Sequence, residues 1–158
     1  MHSVLIVCTA NICRSPMAMG LLRAKVEPQG AQWAIASAGT WGFDGDPAAM
    51  NAQLAMSEKG IDISEHRSRQ VTHEMMAEFN LILTMERGHK EALQIEFPAL
   101  ASRVYLLSEM VDSRFNIDDP MGRSLDDFME TANELEQLIS DGFERIHELS
   151  ADPGDISE

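Results

Sequence analysis

The chain is poor in cysteine, poor in positive charge and without a long apolar run, and each shortage removes a class of protein. Its 158 residues hold two cysteines. Cys8 and Cys13 stand five positions apart, too few and too close for a disulfide scaffold. No apolar run approaches the ~20 residues that span a bilayer. The N-terminal residues His2-Ser3-Val4-Leu5 lack a basic segment and a long apolar core, so no secretory signal is expected and the reading is a cytoplasmic chain. Lysine and arginine number 12 against 26 aspartates and glutamates, a net of −14. From Leu125 onward there are 11 acids and Arg145 alone as a base, a net of −10. Such a field opposes nucleic acid and anionic membranes as partners, and the acidic stretch reads as a solvated helix face and tail.

What is present is ordinary globular material: 44% apolar and 24% charged residues, at a length that suits one domain. Residues 3–7, Ser-Val-Leu-Ile-Val, read as a buried strand. Ser15-Pro16 reads as a helix start, with Ser15 as N-cap, and Met17, Leu21, Leu22 and Val26 follow at helical spacing. Residues 33–36 read as a second strand and 47–59 as a helix stopped by Gly60. Two more apolar runs, 81–83 and 104–107, flank a helical pattern over 86–97. Ser124 and Asp127 form a capping-box-like pair before one long helix running to Leu149. Met75-Met76 reads as core filler. Strands alternating with helices predict a single-domain α/β three-layer sandwich: about four parallel strands with helices on both faces. Residues 1–149 form the expected domain, and 150–158 an acidic, frayed tail.

The chemistry concentrates in the loop Cys8-Thr9-Ala10-Asn11-Ile12-Cys13-Arg14-Ser15. It joins a strand end to a helix N-terminus, where unpaired N–H groups and the macrodipole favour an anion. The thiolate is the reactive form of cysteine, and this position favours it. Arg14, six residues on, can fold back and offer a planar fork to phosphate oxygens. C-x5-R alone is a weak signal; after a strand and before a helix it is far stronger. A cysteine attacking a phosphate ester needs an acid for the leaving oxygen, and Asp119, in Asp118-Asp119-Pro120-Met121-Gly122, is the candidate. In isolation that segment reads as a turn former.

V-C-T-A-N-I-C-R-S-P over residues 7–16, S-A-G-T over 37–40 and D-P-M-G over 119–122 together resemble the low-molecular-weight protein tyrosine phosphatases. The motifs stand in the family order, and the resemblance runs from Val4 to about Leu149. It implies a phosphotyrosine protein phosphatase working through a cysteinyl-phosphate. Cys8 would be the nucleophile, Arg14 the clamp on phosphate, and Asp119 the general acid and then base. Thr9, Ala10, Asn11, Ile12 and Cys13 would wrap the phosphate, and Ser15 would stabilise the Cys8 thiolate. Asn11 would take a left-handed conformation, which asparagine tolerates, held by Ser37 and His66. From the residues alone, His66 reads as a surface histidine. The other histidines show no metal-ligand spacing, so no metal and no cofactor are expected. Cys13 matches a second loop cysteine that, in the family, protects the nucleophile through a reversible disulfide; a packed spectator thiol is the alternative.

Three other readings stand beside this one. Arsenate reductases share the loop but need relay cysteines, which the segment after Leu81 lacks. Protein arginine phosphatases are a branch of the same family, and the resemblance implies a Thr before the second loop cysteine as their mark. Ile12 stands there, an apolar wall suited to an aromatic ring. The position after Pro120 is usually aromatic and here is Met121; Trp41 or Phe43 could supply that wall, with core packing the alternative for Trp41. A non-catalytic phosphate binder would not need Asp119. The expected partner is a phosphotyrosine protein, with a tyrosine kinase opposing the reaction, and the expected state is a monomer.

Overall fold

The computed structural model describes residues 1–155. Four strands form one parallel sheet in the order β2-β1-β3-β4: β1 His2–Cys8, β2 Trp33–Gly39, β3 Leu81–Thr84 and β4 Val104–Leu106. Six α-helices are described: α1 Arg14–Val26, α2 Met50–Ser57, α3 His73–Ala77, α4 Arg87–Glu96, α5 Leu125–Asp141 and α6 Phe143–Ser150. β1 is apolar throughout because both its faces are covered. Val4 and Ile6 join α1, α2, α5 and α6 in one core, whereas Leu5 and Val7 meet α3 and α4 in the other. The two-residue period of a strand thus sorts one continuous apolar run into two layers.

Strand order fixes where a ligand can sit. The chain leaves β1 toward β2 and returns past it to β3. The gap between the carboxyl ends of β1 and β3 is therefore a topological switch point, where open α/β sheets bind their ligands. The loop after β1 and the turn into α4 both reach it.

Several boundaries differ from the sequence reading for local reasons. α1 begins at Arg14 with Cys13 as its cap residue and no side-chain cap. Ser15 is thus inside the helix, and its hydroxyl bonds elsewhere. The long C-terminal helix is two helices. At Gly142 an added Cβ would lie 2.6 Å from Met110 Cβ and 2.9 Å from Leu138 O, so the chain passes too closely there for any other residue. Ser124 caps α5 as expected, its Oγ accepting from Asp127 N at 3.2 Å. Residues 47–49 stay outside α2, with Pro47 bridged to Arg67. Met76 is core, and Met75 packs beside it.

The tail does not fray from residue 150. Ser150 is fully buried and its Oγ meets His2 Nδ1 at 3.0 Å. Ala151 bridges His2, and Asp152 N donates to Met1 O at 3.0 Å. The start of β1 supplies the partners that composition could not reveal. Residues 156–158 of the expected tail lie outside the described residues.

Candidate active site

The loop from Cys8 to Arg14 is held from behind by Asn11. Its φ of 61° is the left-handed conformation, and its buried side chain spends every polar atom on fixing that shape. Asn11 Nδ2 donates to Ser15 Oγ (2.8 Å) and Ser37 Oγ (2.9 Å), and Oδ1 accepts from Arg69 N at 3.0 Å. His66 Nε2 donates to Asn11 O at 2.7 Å, which fixes the tautomer, since a carbonyl only accepts. Burial, followed by Arg23, Arg67 and Arg69, outweighs this bond and lowers the His66 pKa. Gly39 lets β2 approach: a Cβ there would fall 2.5 Å from Thr9 O.

The consequence for the front of the loop is a set of unpaired donors. None of the six backbone N–H groups of residues 9–14 donates to a protein acceptor among the described residues. Ser15 N, next in line, points at Cys8 Sγ from 3.4 Å, and Ser15 Oγ lies 2.9 Å from the same sulfur. Backbone N–H groups that lack a protein acceptor need one from elsewhere, so a run of them around one thiol is built for an acceptor. An oxyanion is the acceptor that such a nest and the α1 N-terminus favour.

Arg14 is 1% exposed and anchored on one edge only. Its Nη1 donates to Glu86 Oε2 (2.5 Å) and to Ile117 O (2.6 Å). Nη2 has only long contacts, 3.5 Å to Thr9 Oγ1 and 3.6 Å to Asp119 Oδ2, and Nε has no acceptor among the described residues. The Nε–Nη2 edge is therefore free for a bidentate oxyanion, the geometry guanidinium suits best.

Asp119 is half-exposed, and its Oδ1 accepts from Met121 N at 3.0 Å, which orients the carboxylate. Cys13 is buried, with Sγ 4.0 Å from Met121 Sδ. Burial, then the charges of Asp119 and Cys8, push its thiol up to about 12. Both cysteines are free thiols. Ile12 is half-buried against the core, and Ala10 half-exposed. Of the expected rim, Met121 lies against Cys13 and is 45% exposed. The Trp41 side chain is 75% exposed, which excludes core packing, and its backbone N–H donates to Thr9 O. Phe43 is also exposed, but its carbonyl is tied to Ser68 Oγ and no contact links it to the loop. No group of His, Cys, Asp and Glu among the described residues is arranged to hold a metal.

Three residues at this site escaped the sequence reading. Glu86 holds Arg14, and Arg69 holds Asn11 through its backbone. His89, in the first turn of α4, places Nε2 2.8 Å from Thr9 Oγ1, while its buried Nδ1 has no partner among the described residues. Burial first, then Arg14, lowers the His89 pKa against the opposing pull of Glu86 and Asp119. Glu86 and His89 follow β3 directly, and a polar cluster at a strand's carboxyl end was the available signal.

A parallel sheet with a thiol, a nest of free amides and a half-anchored arginine at its switch point defines a class: α/β proteins that hold an oxyanion against a cysteine. Residues 3–151 match the model for the low molecular weight phosphotyrosine protein phosphatases, and the chain belongs to that family. A Ralstonia nicotianae protein named probable low molecular weight protein-tyrosine-phosphatase EpsP is 37% identical over 147 residues, 93% of this chain and 97% of that one. The protein-arginine-phosphatase of Bacillus subtilis is 35% identical over 137 residues, 86% of this chain and 91% of its own. Among solved structures, the low molecular weight protein tyrosine phosphatase from T. tengcongensis superposes with a TM-score of 0.87 at 36% identity, covering 92% of this chain and 99% of that one. No described helix is long and apolar enough to cross a membrane.

Proposed function

We propose that this protein is a cysteine-dependent phosphatase that hydrolyses phosphotyrosine in proteins. The observation that carries the reading is the run of unpaired N–H groups over residues 9–14, closing on the Cys8 thiol. In the first step Cys8 Sγ attacks phosphorus, an S–P bond forms and the P–O bond to the tyrosine breaks. Asp119 gives its proton to the leaving oxygen. In the second step Asp119 takes a proton from water, water oxygen attacks phosphorus, and the S–P bond breaks to release phosphate and thiolate. The loop amides and the free edge of Arg14 hold the equatorial oxygens where charge builds. Ser15, 2.9 Å from Cys8 Sγ, stabilises the sulfur each time it leaves. The partner is a phosphotyrosine protein, made by a tyrosine kinase, met by a monomer in the cytoplasm.

The apolar identity of Ile12, half-buried in the loop, and the exposed Met121 and Trp41 support an aromatic substrate over phosphoarginine. Burying a ring against such a wall is worth about 1.5–3 kcal/mol, and stranding a guanidinium N–H there costs about 1–3 kcal/mol. Phosphotyrosine peptide should therefore exceed phosphoarginine peptide by at least about tenfold in kcat/KM. Ile12→Thr should narrow that ratio. Equal rates in the wild type would hand the site to arginine phosphatase chemistry, and no turnover of p-nitrophenyl phosphate would leave a binding module.

A further inference from the structure

A second cleft, of about 940 Å³, lies between α1, β2 and residues 60–69, and none of Cys8, Arg14 and Asp119 lines it. β2 is an edge strand, so its outward carbonyls lack a neighbouring strand. Arg23 covers Ile35 O through Nε (3.2 Å) and Nη2 (2.6 Å), and Arg69 covers Ser37 O through Nε at 3.1 Å. A guanidinium has five donors. Arg23 Nη1 and both Nη atoms of Arg69 remain without a protein acceptor among the described residues.

The charge balance is as unusual as the donor count. Acids outnumber bases 26 to 12 in the chain, yet no carboxylate among the described residues pairs with Arg23, Arg67 or Arg69. Glu27, Asp62 and Glu65 also line the cleft, and Asp62 is turned to Ser64 N at 2.8 Å. All three arginines act against protonation of His66, and no carboxylate offsets them there. Beside these cations lie Trp33, Ile35 and Ile61. Unspent guanidinium donors next to an apolar wall match a phosphate carried on an apolar or aromatic body. The volume falls within the range of small-molecule sites.

We propose that this cleft binds a phosphorylated small molecule of nucleoside-monophosphate size, its phosphate on Arg23 and Arg69 and its body against Trp33, Ile35 and Ile61. The site communicates with the phosphate loop by direct contact. Arg69 N, Ser37 Oγ and His66 Nε2 each bond Asn11, the residue that sets the loop's left-handed turn. An occupant that draws on Arg69 therefore pulls on the turn beneath Cys8.

The test titrates uridine monophosphate into the Cys8→Ser protein, which cannot form the thiol ester, and follows proton–nitrogen correlation spectra. Side-chain Nε–H signals of Arg23 and Arg69 and the Ile61 amide report the cleft; the amides of residues 9–13 report the loop. The cleft signals should saturate on their own curve. Arg23→Gln with Arg69→Gln should weaken that curve by about tenfold or more while loop signals still titrate. Should the double variant lose its spectral dispersion, Arg23→Gln alone carries the comparison. Cleft signals that stay still at millimolar ligand, or an unchanged curve for the Ile61 amide in the variants, would overturn the proposal. The loop curve of the arginine variants, where the cleft is weakened, tests the phosphatase reading separately.

Discussion

Glu86 offers a perturbation whose two consequences can be separated. Its carboxylate receives Arg14 Nη1 at 2.5 Å, and among the described residues the only other close acceptor for that nitrogen is Ile117 O at 2.6 Å. Arg14 is 1% exposed, whereas the Glu86 side chain is 36% exposed. Breaking a fully buried pair typically costs 3–5 kcal/mol; water can reach the Glu86 side of this one, so Glu86→Ala should cost about 1–3 kcal/mol of stability. For a chain of this length that is a fall of roughly 2–10 °C in Tm. The kinetic effect follows from geometry. Without Glu86 the guanidinium pivots on Ile117 O alone, and its Nε–Nη2 edge no longer meets the phosphate in one fixed orientation. Steady-state turnover of p-nitrophenyl phosphate should then show kcat/KM down by about ten- to a hundredfold, equivalent to about 1.4–2.7 kcal/mol. Glu86→Gln keeps an acceptor for Nη1 and should recover most of the rate while recovering less of the Tm. An alanine variant with wild-type kcat/KM would refute the reasoning, because Arg14 would then be positioned without its anchor.

Two further outcomes follow from the same geometry. Asp119→Ala should lower the rate by about 10²–10⁴, with a smaller loss for aryl phosphates whose leaving groups are very acidic; an equal loss across a leaving-group series would make Asp119 structural. Burial lowers the pKa of His89 and His66 below the usual 6.5, so the unfolded chain binds more protons than the folded one just below that value. Stability is therefore complete above about pH 6.5 and falls as pH drops toward the folded pKa values. Thermal melts between pH 7 and 5 should slope less steeply for His89→Gln than for the wild type, and parallel slopes would show that His89 is not buried neutral.

The legible part of this protein is the part written in adjacent residues. A strand end, a C-x5-R loop and a helix start occupy consecutive positions, so their joint placement needed no knowledge of the rest of the chain. Helix caps at Ser124 and the two-faced burial of residues 3–7 were legible for the same reason. Contacts across the sheet were not. Glu86 and Arg14 are 72 residues apart, and Thr9 and His89 are 80 apart; only strand order brings them together, and composition carries no trace of it. Ser15 shows the limit from the other side. A serine before proline has the right identity for a helix cap, but its Oγ accepts from Asn11 Nδ2 at 2.8 Å and lies 2.9 Å from Cys8 Sγ. Here the functional loop overrode local propensity.

The same distinction explains why the support of the loop is more extensive than its motif. A left-handed Asn11 has to be held by groups from several elements, because strain persists only where the surroundings over-determine it. Ser37 comes from β2, and His66 and Arg69 from the segment that returns beneath it. None of the three shares a motif with the others. What unites them is that each bonds a buried polar atom of Asn11: Ser37 shares Nδ2 with Ser15, His66 takes the carbonyl and Arg69 N takes Oδ1. Removing any one loosens the same residue at a different atom, so their effects on the loop should be coupled rather than additive. Ser37→Ala and His66→Gln combined should depart from the sum of the single changes, because both act through one residue and one turn.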